Sequence, residues 1–124
     1  MRKLQVLIIA IFCVICSVNC ASAKDSQPRY KMYQTENIHI LLKLDTATGK
    51  VWMVQYGIGD YIGMTVSVDN TSLLAEGTEE VAGRYELYPT KNTYNFILID
   101  TKQGNTYQVQ WSIEPSNRMR VPIY

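Results

Sequence analysis

Residues 40–56, ILLKLDTATGKVWMVQY, are rewritten 55 positions later as NFILIDTKQGNTYQVQW at 95–111. Extended without gaps, residues 29–68 align with 84–123, and thirteen of these 40 positions are identical. The matched pairs are Arg29/Arg84, Tyr30/Tyr85, Tyr33/Tyr88, Thr35/Thr90, Asn37/Asn92, Asp45/Asp100, Thr46/Thr101, Gly49/Gly104, Val54/Val109, Gln55/Gln110, Ile58/Ile113, Met64/Met119 and Val66/Val121. Such a tandem duplication limits the fold more than any composition does, because what one unit forms the other must form too. The segment between them, 69–83, reads as an acidic linker in which SLLAEG is a loop or a short helical turn.

Each unit reads as β. Short runs of Tyr, Ile, Val, Thr and Trp alternate with turn residues, and no stretch keeps a helical period for three turns. Four strands per unit follow: Arg29–Tyr33, Ile38–Asp45, Lys50–Tyr56 and Met64–Val68, then Arg84–Tyr88, Thr93–Asp100, Asn105–Ser112 and Arg118–Ile123. DTATGK and DTKQGN are the hairpin turns, in which Asp45 and Asp100 bond loop amides while Gly49 and Gly104 take positive φ. The expected fold is all-β: a duplicated four-stranded antiparallel meander, about eight strands in a pseudo-twofold β-sandwich or flattened barrel. Propeller-blade-like units are the alternative, and two blades alone do not close a ring.

The register also assigns faces. In the second hairpin Tyr94, Phe96, Leu98, Tyr107, Val109 and Trp111 share one side, which reads as the core side. Equivalence then turns His39, Leu41, Lys43, Trp52, Val54 and Tyr56 inward and leaves Ile40, Leu42, Leu44, Val51 and Met53 outside. So apolar an outer face marks an interaction surface. The candidate cover is the linker at Ser72–Val81, a second copy of the chain, or a partner. Tyr33 and Tyr88, near the strand ends, are further candidate contact residues, being apolar with a polar tip.

The first 23 residues have the layout of a secretory signal: Arg2 and Lys3, an apolar run from Leu4 to Val18, then Ala21-Ser22-Ala23 ahead of the cleavage point. The alternative is a lipoprotein anchored at Cys20. All three cysteines, Cys13, Cys16 and Cys20, fall within that segment. The portion from residue 24 to residue 124 is thus one cysteine-free domain, without disulfide, thiolate nucleophile or zinc–thiolate site. It carries 10 basic and 11 acidic side chains, so no basic field draws it to nucleic acid.

Chemistry-bearing residues are sparse. His39 is the single histidine, which removes the Ser-His-Asp and Cys-His arrangements and a His/Cys metal cluster. Asp60, Asp69, Glu76, Glu79, Glu80 and Glu114 lie in predicted loops without the pairing that an acid–base site requires. DNTSLLAEGTEE lacks the ligand alternation and sixth-position glycine of a calcium loop. No cofactor is implied.

The segments GRYELYPTKNTYNFILIDTKQGNTYQVQWS and EPSNRMRVPI resemble uncharacterised small exported proteins of the Bacteroidetes. The resemblance covers most of the chain after the signal; it implies a periplasmic or other envelope location and brings no activity with it. The expected function is a non-catalytic envelope binding module for a protein or glycan. A small inhibitor or immunity protein that blocks an enzyme is the alternative, with a small hydrolase a distant third.

Overall fold

The computed structural model describes residues 26–57 and 59–124. The expected signal segment, its cleavage after Ala23 and the Cys20 anchor lie outside the described residues. Eight strands form two four-stranded antiparallel meanders. The first contains β1 (Tyr30–Gln34), β2 (Ile40–Asp45), β3 (Val51–Gln55) and β4 (Met64–Asp69); the second contains β5 (Tyr85–Pro89), β6 (Asn95–Asp100), β7 (Thr106–Gln110) and β8 (Met119–Ile123). The sheets are open and layered. Among the described residues no helix is long and apolar enough to cross a membrane.

The two sheets share one register. Tyr30 stands opposite Asp45 and Tyr85 opposite Asp100; Leu42 faces Met53 across the ladder, and Ile97 faces Gln108. The residues identical in both units explain why. Asp45 and Asp100 each accept at the side chain from the amide two residues on, Ala47 N (3.0 Å) and Lys102 N (3.0 Å). Gly49 and Gly104 have φ of 79° and 80° and donate their amides to the carbonyls of Asp45 and Asp100. Thr46 and Thr101 tie the turns to the carbonyls of Arg29 and Arg84. At the other end Thr35 and Thr90 bond the carbonyls of Ile40 and Asn95, and Asn37 and Asn92 accept from the amides of His39 and Tyr94. Five of the thirteen identities are thus turn and corner chemistry.

The second hairpin buries Phe96, Leu98, Val109 and Trp111 as expected, but the faces of the first differ from the expectation. Ile40, Leu42, Leu44 and Met53, expected as a binding surface, are core residues no more than 2 % exposed, and Val51 joins them. They pack against Tyr85, Leu87, Phe96, Leu98, Val109 and Trp111 of the second sheet. His39, Leu41, Lys43, Trp52, Val54 and Tyr56, expected inside, lie on the outer face; Tyr94, also expected inside, is exposed. A twofold axis between layers places equivalent residues opposite one another. Here Leu42 is buried while its equivalent Ile97 faces outward, and Leu98 is buried while its equivalent Lys43 faces outward. The two meanders form a β-sandwich, as expected, but its layers stack front to back rather than about a twofold axis. The first hairpin's side carrying Ile40, Leu42 and Leu44 is the more apolar one, and burial follows apolarity rather than repeat equivalence.

Tyr33 goes with that face: half-buried against the core, it accepts a hydrogen bond at its phenol oxygen from Leu87 N (3.4 Å). Its equivalent Tyr88 is exposed. The linker covers the first turn rather than the hairpin face. Leu73 donates its amide to Thr48 O (2.8 Å), and Leu73 and Leu74 pack on the core edge. Arg120 clamps the layers from the other side, donating to Gly49 O (2.8 Å) and Thr71 O (2.9 Å) beside Asp69 (3.4 Å).

Three outcomes follow from this arrangement. Leu42→Ala should cost about 2–5 kcal/mol in chemical denaturation, as for a large buried aliphatic residue, while Leu41→Ala on the outer face costs much less. Gly104→Ala should cost about 1 kcal/mol through positive φ alone. A Cβ there meets nothing within 4 Å, whereas at Gly49 it would lie 2.5 Å from Leu73 Cδ1, so Gly49→Ala is the more damaging.

The third concerns acid. Arg84 grips Asp100 by two bonds (3.0 and 2.8 Å) and holds its carboxyl below the ordinary carboxylate value against the effect of burial. Burial pushes the Asp45 carboxyl up, but Arg29 (3.1 Å) and the Ala47 amide outweigh it, and the net shift is again downward. Folded values below the unfolded ones give stability that is fully present above about pH 4 and is lost as the pH falls through the folded values. Circular dichroism against pH should show that loss, with a shallower fall in Asp100→Asn.

Candidate functional site

The ends of the sheets remote from the Asp–Gly turns are shaped by the β1–β2 and β3–β4 connections and their equivalents, β5–β6 and β7–β8. Each end holds a cleft, and the two clefts use equivalent positions. In the second unit a cleft of about 480 Å³ is lined by Asn92, Tyr94, Gln110, Trp111, Glu114 and Asn117, among others. In the first, a cleft of about 300 Å³ is lined by His39, Gln55, Tyr56 and Tyr61. Positions 39/94, 55/110 and 56/111 recur in both.

The second cleft is built on an aromatic floor. Trp111 is buried and donates its indole N–H to Thr93 O (2.9 Å). Tyr94 lies against it, ring centroids 5.0 Å apart and tilted 48°, with half its surface exposed. Asn92 fixes Tyr94 by accepting its amide (3.0 Å). The rim follows from a turn of 3-10 helix at Pro115–Asn117. Gln110 donates to Asn117 O (2.8 Å), and Arg118 donates to Ser112 O (2.8 Å) and Ile113 O (3.0 Å), which pins the connection between β7 and β8. Glu114 adds a carboxylate at the rim.

In the first cleft His39 and Tyr56 form the matching pair, ring centroids 5.5 Å apart and edge-on at 70°. Tyr56 is anchored twice, its amide donating to His39 O (3.1 Å) and its hydroxyl to Ile38 O. His39 Nδ1 is shielded from water and has no hydrogen-bond partner. Both clefts thus combine an aromatic pair with a glutamine, Gln55 or Gln110, whose side-chain amide carries both a donor and an acceptor.

The residues singled out from sequence are not gathered into one place. Ile40, Leu42, Leu44 and Met53 are core, and Tyr33 is packed on its edge. Tyr88 stands exposed with its hydroxyl on Glu86 (3.1 Å). Asp45, Gly49, Asp100 and Gly104 are turn residues, as expected. The loop carboxylates are scattered: Glu80 pairs with Arg29 (2.8 Å), Asp69 with Arg120, and Glu114 accepts from Ser116 (3.4 Å). Alternation assigns the aromatic residues of the clefts to the core face, and of these Trp111 is buried there while Tyr56 and Tyr94 are exposed. Their places in both repeats, immediately before β2 and β6 and immediately after β3 and β7, are the signal that alternation misses.

No protein-family model, curated protein or solved structure matches the chain. The geometry of the two clefts therefore carries the functional reading by itself.

Proposed function

We propose that the chain is an exported, non-catalytic binding module of the cell envelope that takes glycans in its two equivalent clefts. One observation carries this reading: an aromatic pair beside a glutamine at the same strand end of both repeats. The exposed rings, Tyr94 and Tyr56, give a flat apolar surface, which suits the C–H face of a sugar ring. Amide side chains supply donors and acceptors to fix its orientation. Asp45 and Asp100 do not suit a general acid, since each is locked to an arginine, Arg29 or Arg84, that lowers its pKa.

Titration calorimetry against envelope oligosaccharides tests the proposal. Tyr94→Ala should weaken one site by about tenfold, equivalent to roughly 1.4 kcal/mol, and Tyr56→Ala the other, while the double variant loses binding and keeps its melting temperature. Failure of every glycan to bind, with capture of one envelope enzyme and inhibition of its activity, would replace this reading by the inhibitor alternative.

A further inference from the structure

We infer that copies of this chain assemble head to tail, the outer face of the second sheet in one copy stacking on the outer face of the first sheet in the next, to close a ring of two to four copies. The joint inside the chain supplies the pattern. It brings one face of the first sheet against the opposite face of the second. Each chain consequently ends with two unused faces, and each is the repeat equivalent of a face already used in the joint.

The residues follow that equivalence. Tyr85 is buried in the joint at 1 % exposure, and its identical partner Tyr30 stands 54 % exposed on the free face of the first sheet. Val54 and Val109 are divided in the same way. On the other pair of faces Tyr33 and Val66 pack on the core, while Tyr88 and Val121 are 54 % and 40 % exposed. Side chains that the joint requires are thus kept on faces where the isolated chain gives them nothing to cover, and apolar surface of this kind favours association.

Charge agrees. Within the chain Lys31 meets Glu86 at 3.5 Å, and these two are equivalent positions, 55 residues apart. A second joint of the same geometry sets Glu86 of one copy against Lys31 of the next, again opposite charges. Likewise Tyr33 accepts from Leu87 N inside the chain, and Tyr88 is placed to accept from Met32 N of the neighbour.

The free faces are also softened. Lys43 stands where the joint has Leu98, its ammonium 4.7 Å from the Trp52 ring, and Gln108 stands where the joint has Met53. Thr65 replaces the clamping Arg120. The joint between copies is therefore weaker than the one within a chain, and assembly depends on concentration. A front-to-back interface has no self-complementary patch and must close into a ring or grow into a filament. Rings of four to eight four-stranded blades are the closed solutions, which here means two, three or four chains.

The test is sedimentation velocity over a concentration series, with protein purified after export by way of its own N-terminal segment. The expected result is a single assembled species of two, three or four chains in equilibrium with monomer. Met32→Asp on one free face and Val121→Asp on the other should each abolish assembly with an unchanged far-UV spectrum and melting temperature. Tyr30→Asp and Ile123→Asp serve for the same faces if either variant unfolds. Mixed together, the two single-face variants each retain one good face, so they should form a one-to-one dimer that grows no further. A monomer at every concentration, a dimer insensitive to one of the two faces, or open-ended growth would overturn the ring.

Discussion

The fold depends on a parity choice. With side chains alternating along each strand, a four-stranded sheet offers two different faces, and the core forms by pressing one face of the first sheet on the other face of the second. Every strand in this chain is short, and neither sheet covers both its faces. The packing of Leu42, Leu44 and Met53 on Leu87, Leu98 and Val109 therefore holds the two repeats as one body, and the Arg120 clamp and the Leu73 strap close its edges.

Around that core the repeated polar residues do a separate job. The Arg–Asp pairs, the threonines that bond backwards to the preceding strand and the glycines at positive φ belong to corners, where backbone groups lack ladder partners. Corner geometry is local, so it survives in both units with little regard to what each sheet packs against. Face residues are another matter. They answer to a neighbour, and the two sheets have different neighbours, hence the drift from Leu98 to Lys43 or from Met53 to Gln108 between equivalent positions.

This division explains what was legible in the sequence. Strands, hairpin turns and register could be read because alternation, Asp-x-x-x-Gly spacing and the repeat all act over a few residues. The assignment of faces in the first hairpin failed because it relied on equivalence, whereas water responds only to apolarity: Ile40, Leu42 and Leu44 went inside in spite of Phe96 and Leu98. The clefts escaped notice for a similar reason. Tyr94 and Tyr56 continue the alternation of their strands, and alternation does not reveal where a sheet ends and its last aromatic residue leaves the core. Trp111 belongs to both, buried as core and serving as the floor of a cleft.

The front-to-back joint also bears on how such a gene can change. A duplicated unit that packs about a twofold axis uses identical surfaces against each other, and a third copy finds nothing left to bind. Here the unit that arrives last presents the same kind of face that the first one presented, so a further tandem copy could be spliced in without altering any existing contact. Length of the array is then free to vary by whole units under selection. Divergence inside a unit is restrained on both faces, because each must remain a match for whichever copy comes to lie beside it.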